Sequence, residues 1–198
     1  MITIGVLGVQ GAIKEHIDKL SKISNVTPII VKTKEEIELV EGLVLPGGES
    51  TAIGKILDEF KLMAYLKEKI QNGLPVWGTC AGMILLAKKL SNDKKAHLQV
   101  MDIEVKRNAY GAQIESFITN KVIEEISENP IPLVFIRAPY VERVYENVRV
   151  LAEVDGNIVA CRQGNMLATS FHPEITEDLS FHKYFVNIIE EYKVNNIR

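Results

Sequence analysis

From Ile2 to Cys80, short β-rich runs alternate with amphipathic helical stretches. A chain patterned this way buries its strands in a sheet that helices cover. Ile2–Val9 (ITIGVLGV) reads as a buried strand, and Ala12–Ile23 follows with Ile13, Ile17, Leu20 and Ile23 at helical spacing. Thr27–Val31 is the next strand, and Glu41–Leu45 is a third that ends in the breaker Pro46-Gly47-Gly48. One helical stretch carries Ile53, Ile56, Leu57 and Phe60; a second carries Met63, Leu66 and Ile70 and is closed by Gly73-Leu74-Pro75. Val76-Trp77 begins a short strand running into Cys80, and Met83–Leu90 reads as a helix. This order predicts a mostly parallel sheet.

The second half changes character. Val100–Val105, Gln113–Ile118, Leu133–Arg137, Val150–Val154, Asn157–Gln163 and Met166–Phe171 read as strands with few helices between them. Asp155-Gly156 is a strong hairpin-turn signal. A last helix, Asp178–Tyr192, presents Phe181, Phe185, Ile188 and Ile189 on one face. There is no repeat, low-complexity tract or linker. The expectation is one α/β domain over residues 1–198, in three layers: a mostly parallel central sheet flanked by helices, with antiparallel strands added in the second half.

Composition narrows the function classes. Apolar residues make up 46% and charged residues 25% of 198 positions, enough for one good core. The net charge of −3 gives no reason to expect a nucleic-acid or lipid partner. Apolar runs such as Pro132–Ile136 fall far short of the ~18 residues a membrane span needs, and no secretory signal precedes Ile2. With only Cys80 and Cys161, a disulfide framework is excluded and a reducing, cytoplasmic setting fits best.

Gly5–Gly11 (GVLGVQG) invites comparison with a dinucleotide fingerprint. Its spacing is G-x-x-G-x-x-G, and the second strand ends in Val31-Lys32 without an acid for a ribose, so a tight strand-to-helix turn is the better reading. No G-x-x-x-x-G-K-[ST] phosphate loop occurs either. No cofactor is expected.

The chemistry lies elsewhere. Gly78-Thr79-Cys80-Ala81-Gly82 has the G-x-nucleophile-x-G form of a nucleophile elbow, between a strand and a helix as that motif requires. The helix start favours a Cys80 thiolate, the attacking form; the plain alternative is a small buried residue. His172-Pro173-Glu174 offers a base and its orienting group, since residues two apart in extended chain point the same way. Alone, that tripeptide also suits a surface turn. Pro46-Gly47-Gly48-Glu49-Ser50 follows a strand and opens a helix. Its glycines can bring backbone N–H donors close to a ligand, or the segment is an ordinary loop with Glu49 and Ser50 capping the helix.

These segments, with Glu15-His16, Arg107-Asn108, Phe135–Pro139 (FIRAP) and Ser170–Glu174 (SFHPE), resemble the class I (triad) glutamine amidotransferases. The resemblance runs the length of the chain and is closest to the glutaminase subunits of pyridoxal 5′-phosphate synthase. Ala112 departs from it, standing where a basic residue is expected. The resemblance implies a flavodoxin-like fold and a glutaminase with Cys80 as nucleophile, His172 as base and Glu174 as orienter. It implies that Gly47, Gly48, Glu49, Arg107, Ile136 and Arg137 bind L-glutamine. The amides of Gly48 and Ala81 would hold the oxyanion. It implies a barrel-shaped synthase subunit as partner, with Gln10 and His16 on the docking surface. A plain solvated loop is the alternative for that last pair, and ion-paired surface roles are the alternative for Arg107 and Arg137.

Cys161 reads as core packing. His97 and His182 lack companions at metal-ligand spacing, so no metal is expected. Rival functions are the ammonia-donating subunit of another amidotransferase, such as imidazole glycerol phosphate synthase, a cysteine peptidase, and a non-enzymatic α/β binding module.

Overall fold

The computed structural model describes residues 1–108 and 116–196. The elements are β1 (Ile2–Leu7), α1 (Ile13–Leu20), β2 (Val26–Val31), α2 (Lys34–Ile37), β3 (Gly42–Leu45), α3 (Ser50–Glu59), α4 (Met63–Gln71), β4 (Val76–Thr79) and α5 (Ala81–Leu86). They continue with β5 (Ala87–Leu90), β6 (Met101–Lys106), β7 (Ser116–Ile123), β8 (Ser127–Ile136), β9 (Tyr140–Val144), β10 (Arg149–Val154), β11 (Asn157–Gln163) and β12 (Met166–Thr169). A 3-10 turn over Pro173–Ile175 precedes the last helix, α6 (Ser180–Asn196).

Ten strands form one sheet in the order β2-β1-β3-β4-β12-β11-β9-β6-β5, with β10 on β11. The half built from β2, β1, β3, β4 and β12 is parallel throughout. Antiparallel pairing enters where β11 meets β12, β10 and β9, and where β9 meets β6; β7 and β8 make a separate hairpin. The architecture is the expected α/β one.

Strand alternation sorts the apolar side chains into two cores, one on each face. Leu43, Leu45 and Val76 join Ile53, Leu57, Leu66 and Ile70 of α3 and α4. Val44 and Trp77, on the opposite pleats, join Leu20 of α1, Phe181, Phe185, Ile188 and Ile189 of α6, and Leu133 and Phe135 of β8. Both faces of the central strands are therefore covered, as a parallel sheet requires.

Several boundaries depart from the sequence reading. The helix expected over Met83–Leu90 stops at Leu86, and Ala87–Leu90 is β5, paired parallel with β6. Ala87 and Leu90 are buried there while Lys88 and Lys89 face out, Lys88 onto Asp102 and Lys89 over the Tyr145 ring. A four-residue run of this kind fits either period; pairing with β6 decides it. The single turn α2, closed by a Thr33–Glu36 capping box, and strand β9 are additions to the elements expected from sequence. β8 begins at Ser127, six residues before the expected Leu133, despite Pro130 and Pro132, which a two-stranded ribbon with open edges tolerates. Of the strand expected at Gln113–Ile118, residues 113–115 lie outside the described residues, as does Ala112. Asp155 and Gly156 both have positive φ, 51° and 76°, the conformation that an Asp-Gly hairpin turn needs.

Phe185 is fully buried where α6 meets Trp77 and Gly42. Phe185→Ala is expected to lower the free energy of unfolding by about 3–5 kcal/mol, read from urea titration, without changing the secondary-structure content.

Candidate active site

β4 ends at Thr79 and α5 begins at Ala81, so Cys80 alone makes the turn. Its backbone sits at φ 48°, ψ −102°, which is sparsely populated for a residue with a Cβ. The Cys80 N–H donates to the Thr169 carbonyl at 2.8 Å, and the Cys80 carbonyl accepts from Met83 N at 3.1 Å. The flanking glycines are a steric requirement. A Cβ on Gly78 would lie 2.4 Å from the Gly82 carbonyl group, and one on Gly82 would lie 2.1 Å from the Leu45 carbonyl oxygen. Both obstacles are backbone, so neither yields cheaply. The helix behind Cys80 runs only from Ala81 to Leu86, so its dipole is a smaller influence on the sulfur than a helix reaching Leu90 would be.

His172 arrives through the neighbouring strand. β12 lies parallel to β4 with Thr169 opposite Thr79, so the residues after Thr169 pass over Cys80. The His172 N–H donates to the Val134 carbonyl at 2.8 Å, which ties this segment to β8. His172 Nδ1 lies 2.7 Å from Glu174 Oε1. The pair meets as expected, though not through extended chain: Pro173–Ile175 is a 3-10 turn with Glu174 inside it. Burial works to lower the His172 pKa, but the hydrogen bond and charge of Cys80, and then of Glu174, outweigh it and push it up to about 10. Burial works to raise the Glu174 pKa, and His16 and His172 together hold it below the usual carboxylate range. This is the electrostatic pattern of a protonated imidazole held between Cys80 and an ionised carboxylate.

The Pro46–Ser50 loop closes over the pair. A Cβ on Gly47 would lie 2.5 Å from His172 Cε1 and 3.4 Å from Cys80 Cβ, so only glycine lets the backbone come this near. The Gly47 carbonyl accepts from Ala12 N at 2.9 Å, and Gln10 Oε1 accepts from Glu49 N at 2.9 Å. A trans peptide directs the Gly48 N–H away from that carbonyl, leaving it clear of Ala12. The Glu49 carboxylate caps α3, accepting from Thr51 N at 3.0 Å and Ala52 N at 2.6 Å. Arg107 reaches the same loop: it pairs with Asp93 and lies 3.2 Å from Thr51 Oγ1 and 3.4 Å from Glu49 Oε1. Ile136 ends β8, two residues beyond the Val134 that holds His172, and exposed Arg137 follows it with φ 44°.

Beneath the triad lies a polar layer that sequence reasoning did not assemble. His16, expected on a docking surface or a solvated loop, is instead fully buried. The reason is its position on the inward stripe of α1, three residues after Ile13 and four before Leu20. His16 Nε2 lies 3.2 Å from Thr79 Oγ1 and 3.5 Å from Glu174 Oε2, and its Nδ1 lies 3.2 Å from His182 Nε2. His182 is fully buried on α6, with the edge of Trp77 5.0 Å away between ring centres. Both histidines sit at helical spacing among apolar neighbours, and that signal, a polar residue on a buried stripe, is available in the sequence. Gln10 remains partly exposed while bracing the Pro46–Ser50 loop. Cys161 is buried and burial pushes its thiol up to about 12, an inert core residue.

Comparison with known proteins gives the same outline. Over 189 residues the chain is 63% identical to the pyridoxal 5′-phosphate synthase subunit PdxT of Ruminiclostridium cellulolyticum, covering 96% of this chain and 100% of that protein. The PdxT of Clostridium botulinum is 55% identical, over 94% of this chain and 97% of its own. A crystal structure described as a glutamine amidotransferase superposes with a TM-score of 0.88 at 40% identity, covering 94% of this chain and 98% of that one. The crystal structure of a glutamine amidotransferase from Thermotoga maritima shares the fold, with a TM-score of 0.60 at 15% identity, over 100% of this chain and 86% of its own. The sequence pattern of the SNO glutamine amidotransferase family matches residues 6–191. With that match, and a cysteine elbow, histidine and glutamate meeting at one sheet edge, the chain belongs to the SNO glutamine amidotransferase family.

Proposed function

We propose that this chain is the glutaminase subunit of a pyridoxal 5′-phosphate synthase, hydrolysing L-glutamine to L-glutamate and passing the ammonia to a barrel-shaped synthase subunit. The observation that carries the reading is the Cys80 elbow facing a His172 whose other nitrogen is held at 2.7 Å by a buried carboxylate. The PdxT relatives, matched over nearly their full length, carry the assignment to vitamin B6 synthesis.

In this reaction the Cys80 thiolate adds to the side-chain carboxamide carbon. The amides of Gly48 and Ala81 receive the developing oxyanion. His172 gives its proton to the departing nitrogen, the C–N bond breaks, and ammonia leaves a glutamyl thioester on Cys80. Water then attacks the thioester carbon while His172 takes a proton, the C–S bond breaks, and glutamate is released with the thiolate restored. Glu174 keeps His172 in the tautomer that presents Nε2 to the sulfur and balances the imidazolium charge. Arg107 and Arg137 supply donors for the α-carboxylate. Gly47, Gly48, Glu49 and Ile136 shape the rest of the pocket, with Glu49 leaving its helix-capping contacts in part to accept the α-ammonium. Gln10 belongs to the surface that meets the synthase. Its hold on the Glu49 amide makes it a direct lever on the oxyanion loop. Among the described residues no helix is long and apolar enough to cross a membrane. Two free cysteines, one a nucleophile, suit a cytoplasmic setting.

Glutamate release is expected to be slow with the purified chain, to rise when the synthase subunit is added, and to fall to background in Cys80→Ala under both conditions. A wild-type rate of zero with and without the synthase would overturn the glutaminase reading. Glu174→Gln should keep the fold and lose about 10²–10⁴ in kcat, since a neutral amide neither fixes the tautomer nor balances the imidazolium. The pH dependence follows from the raised His172 pKa. His172 carries its proton at neutral pH and loses it near pH 10, so kcat/KM should hold through pH 8 and decline as pH rises through about 10. An alkaline limb near the ordinary histidine value would show that the imidazolium is not stabilised by Cys80 and Glu174.

A further inference from the structure

The triad uses one oxygen of Glu174 and leaves the other to be explained. Oε1 is taken by His172, whereas Oε2 is buried and makes no hydrogen bond of ordinary geometry; His16 Nε2 faces it at 3.5 Å. A buried ionised oxygen with no donor is costly, so the tautomer of His16 matters. With the hydrogen on Nδ1, His16 would turn a ring lone pair toward the carboxylate and leave Oε2 with no donor. With it on Nε2, that N–H has the Thr79 hydroxyl at 3.2 Å and faces Glu174 Oε2 at 3.5 Å, close enough for its dipole to act on the carboxylate. Nδ1 is then an acceptor and requires His182 Nε2, at 3.2 Å, to be the donor. The unpartnered atom left on His182 is Nδ1, which in this arrangement is a lone pair rather than an orphaned N–H, the cheaper of the two to bury. One set of proton positions thus sets a donor against an acceptor at each contact from His182 to His16 to Glu174 to His172.

We propose that His16 is a positioning residue for the triad: its Nε2–H anchors the second oxygen of Glu174, and His182 fixes the tautomer that makes this donation available. The inference rests on the glutaminase triad proposed above. The groups facing His16 are Glu174 from the 3-10 turn, His172 from the segment before it, Thr79 and Trp77 from β4, and His182 from α6. Glu15 neighbours it on α1, and Lys19 of the same helix bears on His182. Burial lowers the pKa of both histidines, against the pull of Glu174 on His16. His16 therefore offers the carboxylate a neutral N–H dipole rather than a full charge. That dipole favours the ionised carboxylate, and its geometry stops the carboxylate from rotating away from His172.

The test compares His16→Leu, which fills the space without a donor, with His16→Gln, which carries an amide N–H of similar reach. Each is measured for glutamine hydrolysis in the complex with the synthase subunit, and for alkylation of Cys80 by iodoacetamide across pH. For His16→Leu, kcat is expected to fall on the order of tenfold with KM for glutamine within about twofold, a loss of alignment rather than of binding. Losing the donor raises the Glu174 pKa, so the acidic limb of kcat/KM and of Cys80 alkylation should move to higher pH by about half a unit or more. His16→Gln should recover most of both. His182→Leu, which frees the tautomer, should shift the limb less and in the same direction, and it carries the test if His16→Leu does not fold. A folded His16→Leu with the wild-type kcat and acidic limb would overturn the inference, as would a folded His16→Gln as impaired as His16→Leu. If the wild-type chain releases no glutamate, the glutaminase reading fails instead, and the alkylation profiles still decide the role of His16.

Discussion

The site depends on the register of β4 against β12. Thr79 lies opposite Thr169 in a parallel pair, and the same pairing continues into the Cys80 N–H bond to the Thr169 carbonyl. A shift of one residue would turn Trp77 to the other core and carry His172 off Cys80. Sheet packing thus fixes Cys80 and His172 together, although they come from different halves of the chain. Phe171, fully buried just before His172, pins that segment to the core. The left-handed backbone at Cys80 stores strain of about 1–3 kcal/mol, and the bond to Thr169 together with the close approach of Gly82 to Leu45 holds it in place.

The same register organises the buried polar groups beneath the edge. Trp77 Nε1 donates to Thr169 Oγ1 at 3.1 Å, while the Thr79 hydroxyl faces His16. The Thr169 hydroxyl thus meets an indole from the neighbouring strand, and the Thr79 hydroxyl an imidazole from α1. The Trp77 ring meets His16 and His182 edge-on and stacks against Phe181, so the two histidines lie against apolar surface on one side and each other on the other. A polar layer of this kind tolerates few arrangements, because any unpaired donor in it costs far more than it would in water. It gives the Glu174 carboxylate a rigid floor.

Much of this is legible in the sequence, and the omissions have physical causes. The elbow is readable because two glycines flanking a cysteine at a strand-to-helix junction answer to backbone clashes that are local in sequence. His172 and Glu174 are readable because they lie two positions apart in the chain, even though a 3-10 turn rather than extended backbone joins them. β5 reads as helix because four residues with two buried ends fit both periods, and only its pairing with β6 separates them. His16 escapes sequence reasoning because its partners, Thr79, Glu174 and His182, come from β4, the 3-10 turn and α6, and no spacing rule relates them. Glu49 is legible as either a ligand contact or a helix cap; the structure shows the cap.

The two loops that crown the sheet are braced against each other. Ala12 N–H holds the Gly47 carbonyl, Gln10 holds the Glu49 amide, and a Cβ on Gly11 would lie 1.9 Å from the Gly47 oxygen. The loop after β1 therefore sets the orientation of the Gly47–Gly48 peptide, and Gly11, with φ 114°, is the residue that permits the contact. Because a peptide unit is planar, turning the Gly47 carbonyl away from Ala12 would also turn the Gly48 N–H. The direction of the Gly48 N–H and the conformation of Gln10–Ala12 are thus one variable. A change in the backbone around the partly exposed Gln10 therefore reaches the Gly47–Glu49 segment through two hydrogen bonds, from Ala12 N to the Gly47 carbonyl and from Glu49 N to Gln10 Oε1.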